Sequence, residues 1–188
     1  MKTISFRHAL LVAVAGLLLT VSRSQAAYDA FLKISGITGE STDPAHTNEI
    51  PVLSFSFGMS NPATIGSGGA GGISAGKVSF SDLNIMKTVD AASVPLALAC
   101  AQGTHFSTVT LTLRDQSGGQ VEFYKVKLTE ALITSVQTSG SAGGDNRPTE
   151  SISIAFQKIE WTYQRVSNGQ AVGAPVIGSF DQATGTVN

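Results

Sequence analysis

The chain has 188 residues, a formal net charge of −1, and 42% hydrophobic, 13% charged and 7% aromatic residues, a globular composition that excludes wholesale disorder. Its single cysteine excludes an intrachain disulfide, and no Cys/His cluster has the spacing of a structural zinc site. Near-neutral charge without a basic run argues against nucleic acid as a partner.

Lys2 and Arg7 precede an uncharged run from Ala9 to Val21, and Ser24-Gln25-Ala26 supplies small residues for a cut between Ala26 and Ala27. Residues 1–26 therefore read as a secretory signal peptide, whose apolar run is shorter than the ~20 residues of a spanning helix. Cleavage leaves residues 27–188 as one expected domain, secreted or periplasmic, with no membrane attachment. That remainder is mildly acidic, with nine bases against 13 acids. A chain of this length buries roughly 70% of its unfolded surface, enough for one core without a cofactor.

From Ala27 onward the chain shows short β-type runs and little helical periodicity. The first strands are predicted at 28–35, 52–60 and 76–87. Asp90 or Ser93 is placed to cap a helix over Val94–Ala101, and Gly103 to end it. This segment is apolar all round, which predicts burial on most sides. Thr108–Arg114 alternates: Val109, Leu111 and Leu113 share one face, and three threonines with Arg114 share the other.

Asp115–Gly119 reads as a hairpin turn into a run from Gln120 to Leu128, whose apolar parity changes near Phe123 and so predicts a bulge. A strand at 132–138 follows. Ile152, Ile154 and Phe156 have even parity and Ile159, Trp161 and Tyr163 odd, so one long strand bends near Gln157 and Lys158, as barrel strands do. Asn168-Gly169 is a turn pair before a last strand at 176–180. The expectation is a mainly β fold of seven or eight strands with one helix. The glycine-rich segments 60–76 and 139–148 are expected to be mobile loops in an isolated subunit.

Gly66-Ser67-Gly68-Gly69-Ala70-Gly71 matches G-x-G-x-x-G, but a β-type run at Lys77–Phe80 follows where a dinucleotide site needs a helix. Cys100 and His105 could form a thiol nucleophile and base, yet Cys100 lies in the apolar helix and reads as a buried structural thiol. His46 lies in a polar stretch without a second ligand nearby and reads as part of a solvated loop. Glu122, Glu130, Glu150 and Glu160 are scattered among basic residues and read as solvated strand faces rather than a glycosidase pair. The residues therefore point to no catalytic site, no metal and no cofactor, and binding or assembly is the default function. A small-ligand β-barrel is a competing reading, since β-rich chains with apolar strand faces can enclose a pocket.

Several segments in register resemble one family. Ala27-Tyr28-Asp29-Ala30-Phe31-Leu32-Lys33-Ile34, Gly36–Asp43 and Ile50–Gly58 resemble the opening of hemolysin-coregulated proteins (Hcp), the tube subunits of type VI secretion. The glycine loop, Ser74–Val78, the helix segment Lys87–Gly103, and Gly143-Gly144-Asp145 with Glu150, Phe156, Lys158 and Trp161 continue the likeness. It implies a small distorted two-sheet β-barrel with one helix, a homo-hexameric ring that stacks into a tube, a spike (VgrG-like) protein at the tip and secreted effectors in the lumen. Asn61, Pro62, Gly66, Gly68, Gly71 and Ser74 are then the expected ring-contact loop. The chain ends soon after Phe180, so no C-terminal toxin extension is expected. Family members are leaderless, whereas this chain carries a signal-like segment; an exported ring or filament outside a secretion machine is the alternative.

Overall fold

A computed structural model of the chain describes residues 28–65, 72–116, 118–143 and 147–188; the signal-peptide reading, with Ala26 and Ala27, lies outside the described residues. The body is a single sheet of nine strands that branches around one core. Its spine is three antiparallel neighbours: β9 (His105–Asp115), β10 (Glu122–Ser139) and β11 (Thr149–Tyr163). The strands expected at 120–128 and 132–138 are thus one continuous strand.

All three spine strands change their buried parity along one line. In β10 the buried positions switch from Val126 and Leu128 to Ala131 and Ile133; in β11 they switch from Phe156 to Ile159; in β9, from Phe106 to Val109. The switch centres on Glu130, a non-glycine residue at φ 50°, which lies between the pairs Thr129↔Lys158 and Ala131↔Phe156. A left-handed residue inside a strand turns the following side chains to the other face, so the sheet folds over here and both halves bury an apolar face. The bend expected at Gln157 and Lys158 is therefore present. The bulge expected near Phe123 is present too, as a register shift against β9 between Glu122 and Tyr124.

Beyond the fold line β11 changes partner on its outer edge. Its first half pairs with β8 (Leu83–Thr88), from Thr149↔Thr88 to Ile154↔Leu83. Its second half pairs with β14 (Val176–Asp181), from Lys158↔Asp181 to Tyr163↔Val176. Gln182 fills the fork between the two: its backbone N–H donates to the Gln157 carbonyl at 2.9 Å and its Nε2 to the Phe156 carbonyl at 2.7 Å. β15 (Thr186–Val187) pairs with β14.

On the far side β1 (Tyr28–Ile34) pairs along β9, and β2 (Ile50–Pro51) pairs with β1. The chain then leaves that edge: the Val52 N–H donates to the Ala30 carbonyl, the Leu53 N–H to the Met86 carbonyl, and β3 (Ser54–Ser56) pairs with β8. The two branches are bridged by this segment without a hydrogen-bonded ladder closing through it, so the barrel expected from the resemblance is present as two branches of an unclosed sheet. Its interior is filled by fully buried side chains including Leu32, Ile85, Leu111, Leu128, Ile133 and Ile154. At about 1.5–3 kcal/mol each these supply the main driving force. They also occupy the space that a ligand inside the barrel would need.

Strand predictions at 52–60 and 76–87 break into short pieces because the chain departs from the body there. Gly58 and Ser81 pair at the exit: the Gly58 N–H donates to Ser81 Oγ at 2.7 Å and the Ser81 N–H to the Gly58 carbonyl at 2.9 Å. Past them run β4 (Met59–Ser60) with β7 (Ser79–Phe80), then β5 (Ala63–Ile65) with β6 (Ile73–Ala75). The described part of the expected loop is thus a two-stranded arm. The turn pair Asn168 (φ 51°) and Gly169 (φ 72°) closes its own small hairpin between β12 (Val166–Ser167) and β13 (Gln170–Ala171).

Candidate assembly surfaces

Helix α1 (Ser93–Gln102) sits at the branch containing β8 and ends at Gly103, whose φ of 63° provides the left-handed cap. Its start differs from expectation. The N-cap is Ala92 with no side-chain cap, because Asp90 Oδ1 takes the Ala92 N–H and the Ser93 hydroxyl turns inward. That hydroxyl joins a buried ionic cluster. Lys87, fully buried on β8, places Nζ 2.7 Å from Asp90 Oδ1, 2.8 Å from Glu150 Oε2, 3.0 Å from Ser93 Oγ and 2.8 Å from the Thr88 carbonyl. Ser93 Oγ donates to Glu150 Oε2 at 2.6 Å, and Thr138 donates to Oε1 at 3.1 Å. Burial works to raise the Glu150 pKa, but hydrogen bonds from Lys87 and Ser93 outweigh it and the net shift is downward. Glu150 is therefore no solvated strand residue, since it ties the helix to β8, β10 and β11.

Only Ser93, Leu96 and Ala99 of α1 are buried, which overturns the expectation of a helix enclosed on most sides. Val94 is 67% and Leu98 54% exposed, and Pro95, Ala97 and Ala101 are exposed beside them. Cys100 is half-buried against the core rather than fully enclosed, and His105 is exposed at the start of β9. Among the described residues no hydrogen bond joins them.

A second cluster holds the segment 36–49 over the outer face of β1 and β9. Arg114, 4% exposed, donates from Nη1 and Nη2 to the two carboxylate oxygens of Asp43 at 2.8 and 2.6 Å, and from Nη2 to Asp29 at 3.0 Å. The Arg114 hydrogen bonds hold the Asp43 carboxyl down at about 2. His46 stacks on Phe31 with centroids 4.1 Å apart, while Arg114 covers the same ring at 5.2 Å. His46 Nδ1 meets Glu49 at 3.0 Å, and Nε2 lies 3.5 Å from Glu122. His46 is thus buried, contrary to the solvated-loop reading, and so are Thr112 and Arg114 on the same face of β9. Proximity in the fold, invisible in sequence spacing, brings these groups together. Glu130 and Glu160 lie apart from both clusters on exposed and half-exposed strand positions.

The arm carries Asn61, Pro62 and Ser74, all exposed as a contact surface requires; Gly66, Gly68 and Gly71 lie outside the described residues. At its base Phe80 packs within 5.3 Å of Phe180 and 5.9 Å of Phe156, centroid to centroid. An open apolar cleft of about 350 Å³ lies there, lined by Met59, Val78, Phe80, Trp161 and Val187 among others. Among the described residues no cluster of three or more His, Cys, Asp or Glu side chains is arranged to hold a metal.

These surfaces belong to a recognisable fold. A solved structure of a type six secretion system protein superposes with a TM-score of 0.81 at 36% identity, covering 86% of this chain and all of that one. Hcp1 from Salmonella typhimurium superposes with a TM-score of 0.72 at 30% identity, over 87% of this chain and all of that one. Protein hcp1 of Pseudomonas aeruginosa is 41% identical over 152 residues, 80% of this chain and 92% of that protein. With the family model described as type VI secretion system effector, Hcp, matching residues 31–163, the chain belongs to the Hcp family.

Proposed function

We propose that this chain is a structural tube subunit of a type VI secretion system, closing into a hexameric ring that stacks into a tube. The observation that carries this reading beyond family membership is the uncharged, apolar outer face of α1. A helix held to its own body by a buried ionic cluster, yet showing Val94 and Leu98 to solvent, has a surface built for another protein. The protein acts mechanically rather than as an enzyme; its partners are its own copies, a VgrG-like spike at the tip and effectors in the lumen. Electron micrographs of the purified protein should show rings of uniform diameter, and a field of discrete monomers would contradict the proposal.

The leader pattern favours a second version, in which an exported ring or filament works outside the cytoplasm after cleavage between Ala26 and Ala27. N-terminal sequencing of protein recovered from the native host separates the two. A species starting at Ala27 supports export; one starting at Met1 in the cytoplasm supports the ordinary tube.

A further inference from the structure

The segment 36–49 lies as a strap over β1 and β9. Among the described residues, its backbone from Glu40 to Asn48 makes backbone–backbone hydrogen bonds only within residues 39–49. The Gly39 N–H, for instance, donates to the Asn48 carbonyl at 2.8 Å, and the Asn48 N–H to the Ser41 carbonyl at 2.9 Å. Side chains therefore seat the strap on the body. Near its start Glu40 accepts the Ala91 N–H, in the turn before α1, at 2.9 Å and meets Arg147. Further along, Asp43 takes both Arg114 Nη groups and His46 stacks on Phe31.

His46 is 3% exposed and stands between two carboxylates, one at each ring nitrogen. Glu49 Oε2 lies 3.0 Å from Nδ1, and Glu122 Oε1 lies 3.5 Å from Nε2, which makes no hydrogen bond. A neutral imidazole has one proton for two nitrogens. With the proton on Nδ1 the Nε2 lone pair faces Glu122, and with the proton on Nε2 the Nδ1 lone pair faces Glu49. Either way a buried lone pair points at an anion. Only the imidazolium has an N–H for each carboxylate.

The other charged groups around the ring divide by sign. Asp43 on the strap accepts the His46 backbone N–H at 3.2 Å, and Asp43 and Asp29 of β1 are both bound by Arg114 of β9. Lys125 of β10 pairs with the other oxygen of Glu122, and Lys33 of β1 is exposed. Burial, Lys125 and Arg114, which covers the same Phe31 ring, oppose a charge on His46. Glu49 favours it: its side chain is 13% exposed, and among the described residues no cation other than His46 meets it.

We propose that His46 is a proton-operated latch on the strap: with both ring nitrogens protonated it ties the strap to Glu122 of β10, and loss of one proton loosens that tie. The seated strap holds a proton that the released strap gives up. Seating is therefore favoured as pH falls and weakened as pH rises through the histidine range. Because Glu40 of the same strap holds the Ala91 N–H, release also frees the turn that leads into α1.

Hydrogen exchange of the full chain tests this, read by mass spectrometry on peptides covering 36–49 and corrected for the intrinsic pH dependence of exchange, at about pH 6 and about pH 8. Opening of the strap should be about tenfold rarer at the lower pH, the worth of one hydrogen bond to a charged group. His46→Gln, polar but unable to titrate, should open equally at both pH values, and Glu122→Gln should lose most of the difference. A histidine that only fills space would give faster opening in His46→Gln with the pH difference intact. That result, or equal opening at both pH values in the unsubstituted chain, would overturn the latch. Where His46→Gln does not fold, ring-nitrogen NMR shifts of the unsubstituted chain decide. Protons on both His46 nitrogens at about pH 6 support the latch, and a single neutral tautomer there overturns it.

Discussion

Replacing Lys87 by Met keeps an unbranched side chain out to Cε but deletes the ammonium, and the structure fixes what that leaves behind. Nζ is the shared partner of Asp90 at 2.7 Å, Glu150 at 2.8 Å and Ser93 at 3.0 Å, all at a site where Lys87 is fully buried. Two carboxylates would then face each other in the interior with only Ser93, Thr138 and the Ala92 N–H to answer them. Breaking a buried ion pair from one side costs about 3–5 kcal/mol. In a chain of this size each kcal/mol moves the melting temperature by about 2–4 °C, so Lys87→Met should lower it by about 10 °C. Glu150→Gln keeps the shape and part of the hydrogen bonding and should cost about 1.5–3 kcal/mol. Combining Lys87→Met with Glu150→Leu removes the pair together and should cost clearly less than the two single losses added. Urea unfolding at fixed protein concentration, monitored by circular dichroism, reads all of these. A loss below about 1 kcal/mol for Lys87→Met would refute the argument that this cluster seats the helix.

Other consequences follow from single positions. The folded-state pKa of Asp43, about 2, lies below its ordinary 3.8, so its contribution to stability is present above pH 4 and is lost as pH falls toward 2. Asp43→Asn should flatten that part of an acid-unfolding curve. A Cβ at Gly39 would fall on the backbone of Glu49 and Ile50, so Gly39→Ala must displace the segment over β1 and should cost about 1–3 kcal/mol in urea unfolding. Glu130 holds φ 50° on the fold line; Glu130→Gly should be neutral or stabilising, whereas β-branched Glu130→Val should lose about 1–2 kcal/mol.

Much of this architecture can be read from alternation alone. The parity changes near Phe123 and after Phe156 appear in the sequence because each strand must keep an apolar face toward one core, and the structure answers them with a register shift and a fold line. The partner of the second change, Glu130, carries no sequence signature, since nothing in a glutamate announces a left-handed backbone. The merger of two predicted strands into β10 was hidden by the same residue.

Tertiary proximity accounts for the remaining differences. His46, Arg114 and Glu150 have polar side chains and polar neighbours in sequence, so local pattern assigns them to solvent. They are buried because the 36–49 segment folds back over β1 and because α1 packs against β10 and sets Ser93 over Lys87 and Glu150. The helix shows the opposite case. Its composition announces burial, yet its own chain covers only the stripe of Ser93, Leu96 and Ala99, because an apolar composition does not say which chain does the covering. The two-stranded form of the arm carries no local signature in the sequence and emerges only from the pairing of Met59 with Phe80 and Ala63 with Ala75.

The most direct test of the account is native mass spectrometry of the purified protein at micromolar concentration. A dominant species of hexameric mass is expected, falling apart to folded monomer when Leu98 is replaced by Asp. A chain that stays monomeric at that concentration would contradict the assignment as a ring-forming tube subunit.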